Sequence, residues 1–208
     1  MLNLVIMKLH YLQIKKPMSI DYIIGENFEQ IDFSALLIAK KSYENCIFNS
    51  CNFASVDIGN FIFEDSTFNN CNLSMALLNK TALRNVKFVG CKMLGLQFDQ
   101  CNQFNIEFMF DNCILNNCSF YGLKIKATIF KNCKLVEVDF TDCYAPSSLF
   151  DNCDFSGAIF ENTNLEKSNL TSSFNFSIDP SMNNIYKSKF SAQNISGLLH
   201  KYKIEIEG

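Results

Sequence analysis

Large apolar side chains recur at every fifth position from Phe28 to Phe98, fifteen times without a polar interruption. The run is Phe28, Phe33, Ile38, Tyr43, Phe48, Phe53, Ile58, Phe63, Phe68, Leu73, Leu78, Leu83, Phe88, Met93 and Phe98. If about half of all residues are apolar, such a run arises by chance roughly once in thirty thousand trials. Neither the 3.6-residue period of a helix nor the two-residue period of a strand accounts for it. A period of five therefore marks an internal repeat. The series slips by two residues at Gln103 and resumes as Phe110, Leu115, Phe120, Ile125, Phe130, Leu135, Phe140, Ala145, Phe150, Phe155, Phe160, Leu165 and Leu170. Ala145, followed by Pro146, is the one weak corner of that second run.

Two positions before the large residue stands a small or thin one, as at Cys46, Cys51, Val56, Ser66, Cys71, Ala76, Thr81 and Cys91, then Cys113, Cys118, Cys133, Cys143, Cys153, Ala158, Thr163 and Ser168. Asn and Asp crowd the next place, as in Asn52, Asn72, Asp139, Asp154, Asn164 and Asn169. In this pattern, and in segments such as 71–75 and 158–165, the chain resembles the pentapeptide-repeat family over about 145 residues, from near Glu26 to Leu170. The resemblance implies an all-β fold, a right-handed quadrilateral β-helix in which four five-residue sides close one coil of twenty residues. It divides the chain into an N-terminal extension and cap (1–25), the β-helix (26–172) and a C-terminal cap, short helix and tail (173–208).

Residues twenty apart then lie one coil apart, at about the 4.8 Å of neighbouring strands. This predicts core stacks of Phe48, Phe68 and Phe88 and of Phe110, Phe130 and Phe150. Polar columns are expected at Asn112, Asn132 and Asn152 and at Asn45, Asp65 and Asn85, with side-chain amides bonding from coil to coil. Charge alternates along Asp111, Lys131 and Asp151. About seven coils make a rod roughly 35 Å long.

Ten cysteines invite a metal or disulfide reading. All ten, Cys101 included, fall at the small inward position, and neighbours such as Cys51 and Cys71, or Cys113, Cys133 and Cys153, are expected to stack. No CxxC pair occurs, so zinc-site spacing is lacking. A thiol at such a place packs as a small hydrophobe.

The slip at 99–109 is open to three readings: an internal bulge, a short loop, or a kink between two stacks. Its apolar residues Phe104, Ile106, Phe108 and Met109 favour an internal insertion over a long exposed loop. After Leu170, Phe174, Phe176 and Ile178 are expected to cap the last coil through an irregular path at Pro180, as the end of a solenoid requires. A short C-terminal α-helix follows, with Ser191 as N-cap and Ile195, Leu198, Leu199 and Tyr202 on one face. That face either plugs the rod or pairs with its twofold mate, and the dimer is the expectation. Residues 203–207 alternate in the manner of an edge strand.

The chemistry of catalysis is not legible. Both histidines, His10 and His200, lie outside the repeat, the eight glycines are scattered, and Glu64, Asp65 and Glu107 are outward by phase. An enzyme is not expected, nor a cofactor or metal. The net charge of −3 and isoelectric point near 5.4 argue against direct nucleic-acid binding. No window of about eighteen residues is apolar enough to span a bilayer. The apolar start precedes its basic residues, the reverse of a secretory signal. Met7 and Met18 are alternative starts, and a cytoplasmic location is expected. Two functions follow: an interaction scaffold for an unknown protein partner or, from similarity to the Qnr/MfpA-type group, a DNA mimic that binds DNA gyrase or topoisomerase IV and alters quinolone sensitivity. Residues 26–170 hold seventeen Asp and Glu against eleven Lys and Arg, a modest excess for mimicry. A continuous acidic stripe would favour the mimic, mixed ladders the scaffold.

Overall fold

The computed structural model describes residues 21–36 and 41–206. Ile38, His10, the extension before Asp21, and Glu207 lie outside them. Eleven short strands are described: β1 (Asp21–Ile24), β2 (Asn27–Glu29), β3 (Lys41–Glu44), β4 (Ile47–Asn49), β5 (Ile62–Glu64), β6 (Thr67–Asn69), β7 (Ala82–Arg84), β8 (Val86–Val89), β9 (Phe108–Asp111), β10 (Ile129–Lys131) and β11 (Leu149–Asp151). All the pairs are parallel. One sheet runs β1-β3-β5-β7 and the other β2-β4-β6-β8-β9-β10-β11. The two remaining sides are built of single bridges, such as Asp32–Asn52–Asn72–Lys92–Ile114–Lys134–Asp154 and Gln97–Ser119–Asp139–Ile159. Four walls, repeating every twenty residues, make the quadrilateral β-helix.

Most corners share one backbone cause, while those after Phe33 and Phe98 turn through short 3-10 segments. Two residues after the large one, the chain takes a left-handed conformation, at Asn45, Asp65, Asn85, Asn112, Asn132 and Asn152 among many, with φ near +50°. Asn and Asp tolerate this region better than other side chains. Gly90, at φ +64°, occupies the same place, and a Cβ there would collide with Asn70 Oδ1. From coil to coil the amides bond along part of the expected columns: Asn152 donates to Asn132 Oδ1 at 2.9 Å and Asn85 to Asp65 Oδ1 at 2.5 Å, whereas Asn132 donates to Asp111 Oδ1 at 3.5 Å and not to Asn112.

Every large residue of both series that lies within the described residues is buried. Down one wall, ring centroids stand 4.6 Å apart for Phe48 and Phe68, 5.2 Å for Phe68 and Phe88, 5.3 Å for Phe88 and Phe110, and 5.0 Å for Phe110–Phe130 and Phe130–Phe150. The two expected stacks are therefore one continuous column. Around a corner the rings meet edge to face, as Phe120 does with Phe130 at 5.7 Å and 85°. Stacking along the axis and T-shaped contact across it are the two favoured aromatic geometries. Full burial of each ring contributes about 1.5–3 kcal/mol.

The slip is a bulge in one wall. Ala82 pairs with Asn102, but Val86 pairs with Phe108, so the two surplus residues lie within 103–107. Glu107 N–H donates to Leu83 O at 2.9 Å, and Val86 N–H to Glu107 O at 3.0 Å, which recloses the ladder. With Gln103 turned outward, the core lacks one large side chain. Phe108 supplies it from a position that elsewhere holds Cys46, Ser66 or Val86. Its ring sits 5.1 Å from Phe110 and 5.5 Å from Phe98.

The C-terminal cap differs from expectation in several respects. The short helix is present, but its turns are 3-10, at Ala192–Leu198 and His200–Tyr202. Ser191 caps it, accepting from Asn194 N–H. Ile195, Leu198, Leu199 and Tyr202 therefore do not share a face: Leu198 is buried on the rod, Leu199 half-buried, and Ile195 and Tyr202 exposed. Gly197 explains the close seat, since a Cβ there would collide with Phe176 O. Ile178 N–H donates to Gly197 O at 2.9 Å, and Lys201 pairs with Asp179 at 2.6 Å. Phe176 and Ile178 are buried as caps, whereas Phe174 is partly exposed. Residues 203–206, expected as an edge strand, form no strand.

Candidate functional site

Chemistry along the rod falls in three places. The first is internal. Side-chain donors at the small position reach the carbonyl of the large residue in the preceding coil. Cys71 Sγ lies 3.3 Å from Phe48 O, Cys91 Sγ 3.3 Å from Phe68 O, and Cys113 Sγ 3.4 Å from Phe88 O. Hydroxyls do the same at 2.8 Å, Thr163 to Phe140 O and Ser173 to Phe150 O. All ten thiols are buried. Desolvation pushes Cys101, Cys118 and Cys143 up to about 12, which holds them protonated and unreactive.

The second place is the bulge. Phe104 stands 68% exposed on it, with the Arg84 guanidinium 6.0 Å from its ring centroid, at the outer limit of a cation–π contact. Arg84 also pairs with Glu64 at 3.2 Å. Glu64, Asp65 and Glu107, each outward by phase, come together here with Arg84, Asn85, Asn105 and Ile106 around an open depression of about 300 Å³. The apolar composition of 99–109 argued against a long exposed loop, and only a short bulge is present. Phe108 is buried, Ile106 and Met109 half-buried, and Phe104 exposed.

The third place is the C-terminal end. Ser196, Leu199, His200, Lys203, Ile204 and Ile206 line a depression of about 330 Å³, and Ile195 and Tyr202 are exposed nearby. Among the described residues, no helix is long and apolar enough to cross a membrane.

Comparison with known sequences bears on this arrangement. Two family models match in succession, "Pentapeptide repeats (8 copies)" over 68–102 and "Pentapeptide repeat region" over 97–170. The same twenty-residue ladder continues on both sides of that span. The chain is a pentapeptide-repeat protein. Among solved structures, a trypsin-treated variant of QnrB1, a plasmid-mediated fluoroquinolone resistance protein, superposes with a TM-score of 0.59 at 18% identity, covering 91% of this chain and all of that one. Full-length QnrB1 gives 0.45 at 17% identity, with 88% and 100% covered. HetL, a pentapeptide-repeat protein involved in heterocyst differentiation regulation from Nostoc sp. strain PCC 7120, gives 0.28 at 12% identity, with 88% and 92% covered. No curated protein matches. The first of these likenesses shows the shared fold.

In this pentapeptide-repeat protein many of the small positions thus carry a donor as well as fitting by size, although Val56, Ala76 and Ala158 carry none. The signal was present in the sequence, where Ser66, Thr81, Thr163 and Ser168 alternate with Cys at one place in the repeat. Ser173→Ala is expected to cost about 1–2 kcal/mol by leaving Phe150 O without its hydroxyl partner. Ser173→Cys keeps a weak donor and should cost less, as urea denaturation midpoints of the two variants will show.

Proposed function

We propose that this pentapeptide-repeat protein is a non-catalytic scaffold that binds a protein partner on the bulged wall. The exposed Phe104, with Arg84 beside its ring and Arg84 in turn lining the depression that holds Glu64 and Glu107, carries the reading. An aromatic lifted out of a rigid framework next to charged groups is the usual make-up of a recognition surface. The wall faces support it. Their columns are mixed, with Asp111, Lys131 and Asp151 in register and Glu64 beneath Arg84, not a continuous acidic stripe. Affinity capture from the source cells with wild-type and Phe104→Ala baits tests it. A partner held by the first and lost from the second is expected, while identical captured sets would overturn the proposal.

The likeness to QnrB1 and the acid excess of the repeat favour a second reading, a gyrase- or topoisomerase IV-binding DNA mimic. Gyrase supercoiling with and without ciprofloxacin decides it, and neither inhibition nor rescue at micromolar protein would remove it. Under either reading the rods join end to end as a homodimer through exposed Ile195 and Tyr202. Sedimentation equilibrium of wild type and Tyr202→Glu measures this, and a wild-type monomer would refute it.

A further inference from the structure

The bulge has an effect inside the rod that no single repeat displays. By absorbing two residues outward, it keeps the inner columns in register, so that Lys92 pairs with Ile114 as Asn72 pairs with Lys92. The adjoining small positions therefore align without a break as Cys51, Cys71, Cys91, Cys113, Cys133 and Cys153, six thiols on six successive coils along one corner. The coil before them has Ile31 at this place and the coil after has Ser173. Each thiol is 0–2% exposed. Backbone N–H of Cys51 donates to Cys71 Sγ at 3.4 Å, so the sulfur of one coil reaches the backbone of the next. The sulfurs also lie against main-chain carbonyls of the preceding coil, Cys71 Sγ at 3.3 Å from Phe48 O and Cys113 Sγ at 3.4 Å from Phe88 O, and the neighbouring thiols hold Cys71 and Cys133 below the usual thiol range.

Among the described residues, no group of three or more ligating side chains converges on one point, so a tetrahedral zinc site is not built here. A row of thiols offers a different geometry, two sulfurs on one corner at equivalent positions of successive coils. The coil spacing is about 4.8 Å, and two collinear metal–sulfur bonds, each of about the 2.3 Å of a zinc–thiolate bond, span about 4.6 Å. We infer that the column binds soft two-coordinate d10 cations of the Cu(I) and Ag(I) class, one between each pair of successive thiols: Cys51–Cys71, Cys91–Cys113 and Cys133–Cys153. Soft thiolate donors select such ions over Mg²⁺ or Ca²⁺. In each pair the cation forms two metal–sulfur bonds, both S–H bonds break, and two protons pass to solvent. The bis-thiolate left behind carries one negative charge, which donors such as the Cys51 N–H offset. No electron is transferred. Because the thiols are buried, uptake proceeds through local opening of the wall and is slow.

Anaerobic titration of the full chain with Ag⁺, read by native mass spectrometry alongside far-UV circular dichroism, tests the inference. Up to three Ag⁺ are expected, with an unchanged β spectrum and a raised thermal midpoint. A Cys71→Ser, Cys113→Ser, Cys133→Ser variant leaves no two adjacent thiols and should bind none in the column. Cys46→Ser, Cys101→Ser, Cys143→Ser removes the same number of thiols elsewhere and should still bind three. If the first variant fails to fold, Cys113→Ser alone should lower the limit from three to two. No bound Ag⁺, binding only with loss of the β spectrum, equal binding by the two triple variants, or equal binding of Zn²⁺ would each overturn it.

Discussion

Phe130→Asp is expected to unfold the C-terminal half of the rod while the N-terminal coils stay closed. The ring is fully buried, stacked at 5.0 Å on both Phe110 and Phe150 and set edge-on to Phe120 and Phe140 at 5.7 and 6.3 Å. Truncating such a ring costs about 3–5 kcal/mol. An uncompensated carboxylate in the same place adds a penalty of several kcal/mol. Whole domains are stable by only about 5–15 kcal/mol, and in a solenoid each coil is held by its two neighbours alone. Limited proteolysis with mass spectrometry should leave a protected N-terminal fragment. The outward residues of the same wall supply the contrast: Asp111→Ala, Lys131→Ala or Asp151→Ala should each stay within about 0.5 kcal/mol of wild type. Equal losses in the two classes would mean that the inward and outward assignment is wrong.

The bulge gives the second large effect, from two phenylalanines four residues apart. Phe108→Ala removes the ring that replaces the missing large residue at Gln103, and should cost about 3–5 kcal/mol. Phe104→Ala removes an exposed ring and should change stability by no more than about 0.5 kcal/mol. Thermal or urea denaturation of the two proteins measures the difference. The Phe104 variant is then a folded bait for the capture experiment, so a lost partner cannot be ascribed to a lost fold.

The architecture was legible because one signal, the five-residue period, sets both which side chains point inward and how far the chain travels before it turns. That is why Phe48, Phe68 and Phe88 could be placed on one another from their numbers alone. Features that depend on more than one coil were not legible. Whether Phe88 sits on Phe110 depends on where the two surplus residues go, and periodicity is silent where it is broken. Phe104 and Phe108 are the same residue type in one short segment, and only the ladder closed by Glu107 separates the outward one from the inward one. The carboxylates Glu64, Asp65 and Glu107 read individually as solvated. Only the fold brings them around Arg84. At the C-terminus, the spacing of Ile195, Leu198, Leu199 and Tyr202 fits 3.6 residues per turn, but the seat of Gly197 on Phe176 comes with tighter 3-10 winding. The thiol column needed both halves of the reading, the small position from the sequence and the unbroken register from the structure.

The segment between Asn102 and Phe108 shows that one wall can lengthen while the coils before and after it keep their pairing. Most of a helical rod has no such freedom, since a single added residue would turn every later side chain the wrong way. At this spot, surplus chain leaves and returns between two fixed anchor points. It is therefore a natural port for inserted sequence: a foreign peptide grafted there would be displayed on the outside, with its reach set by its own length and the cylinder behind it undisturbed.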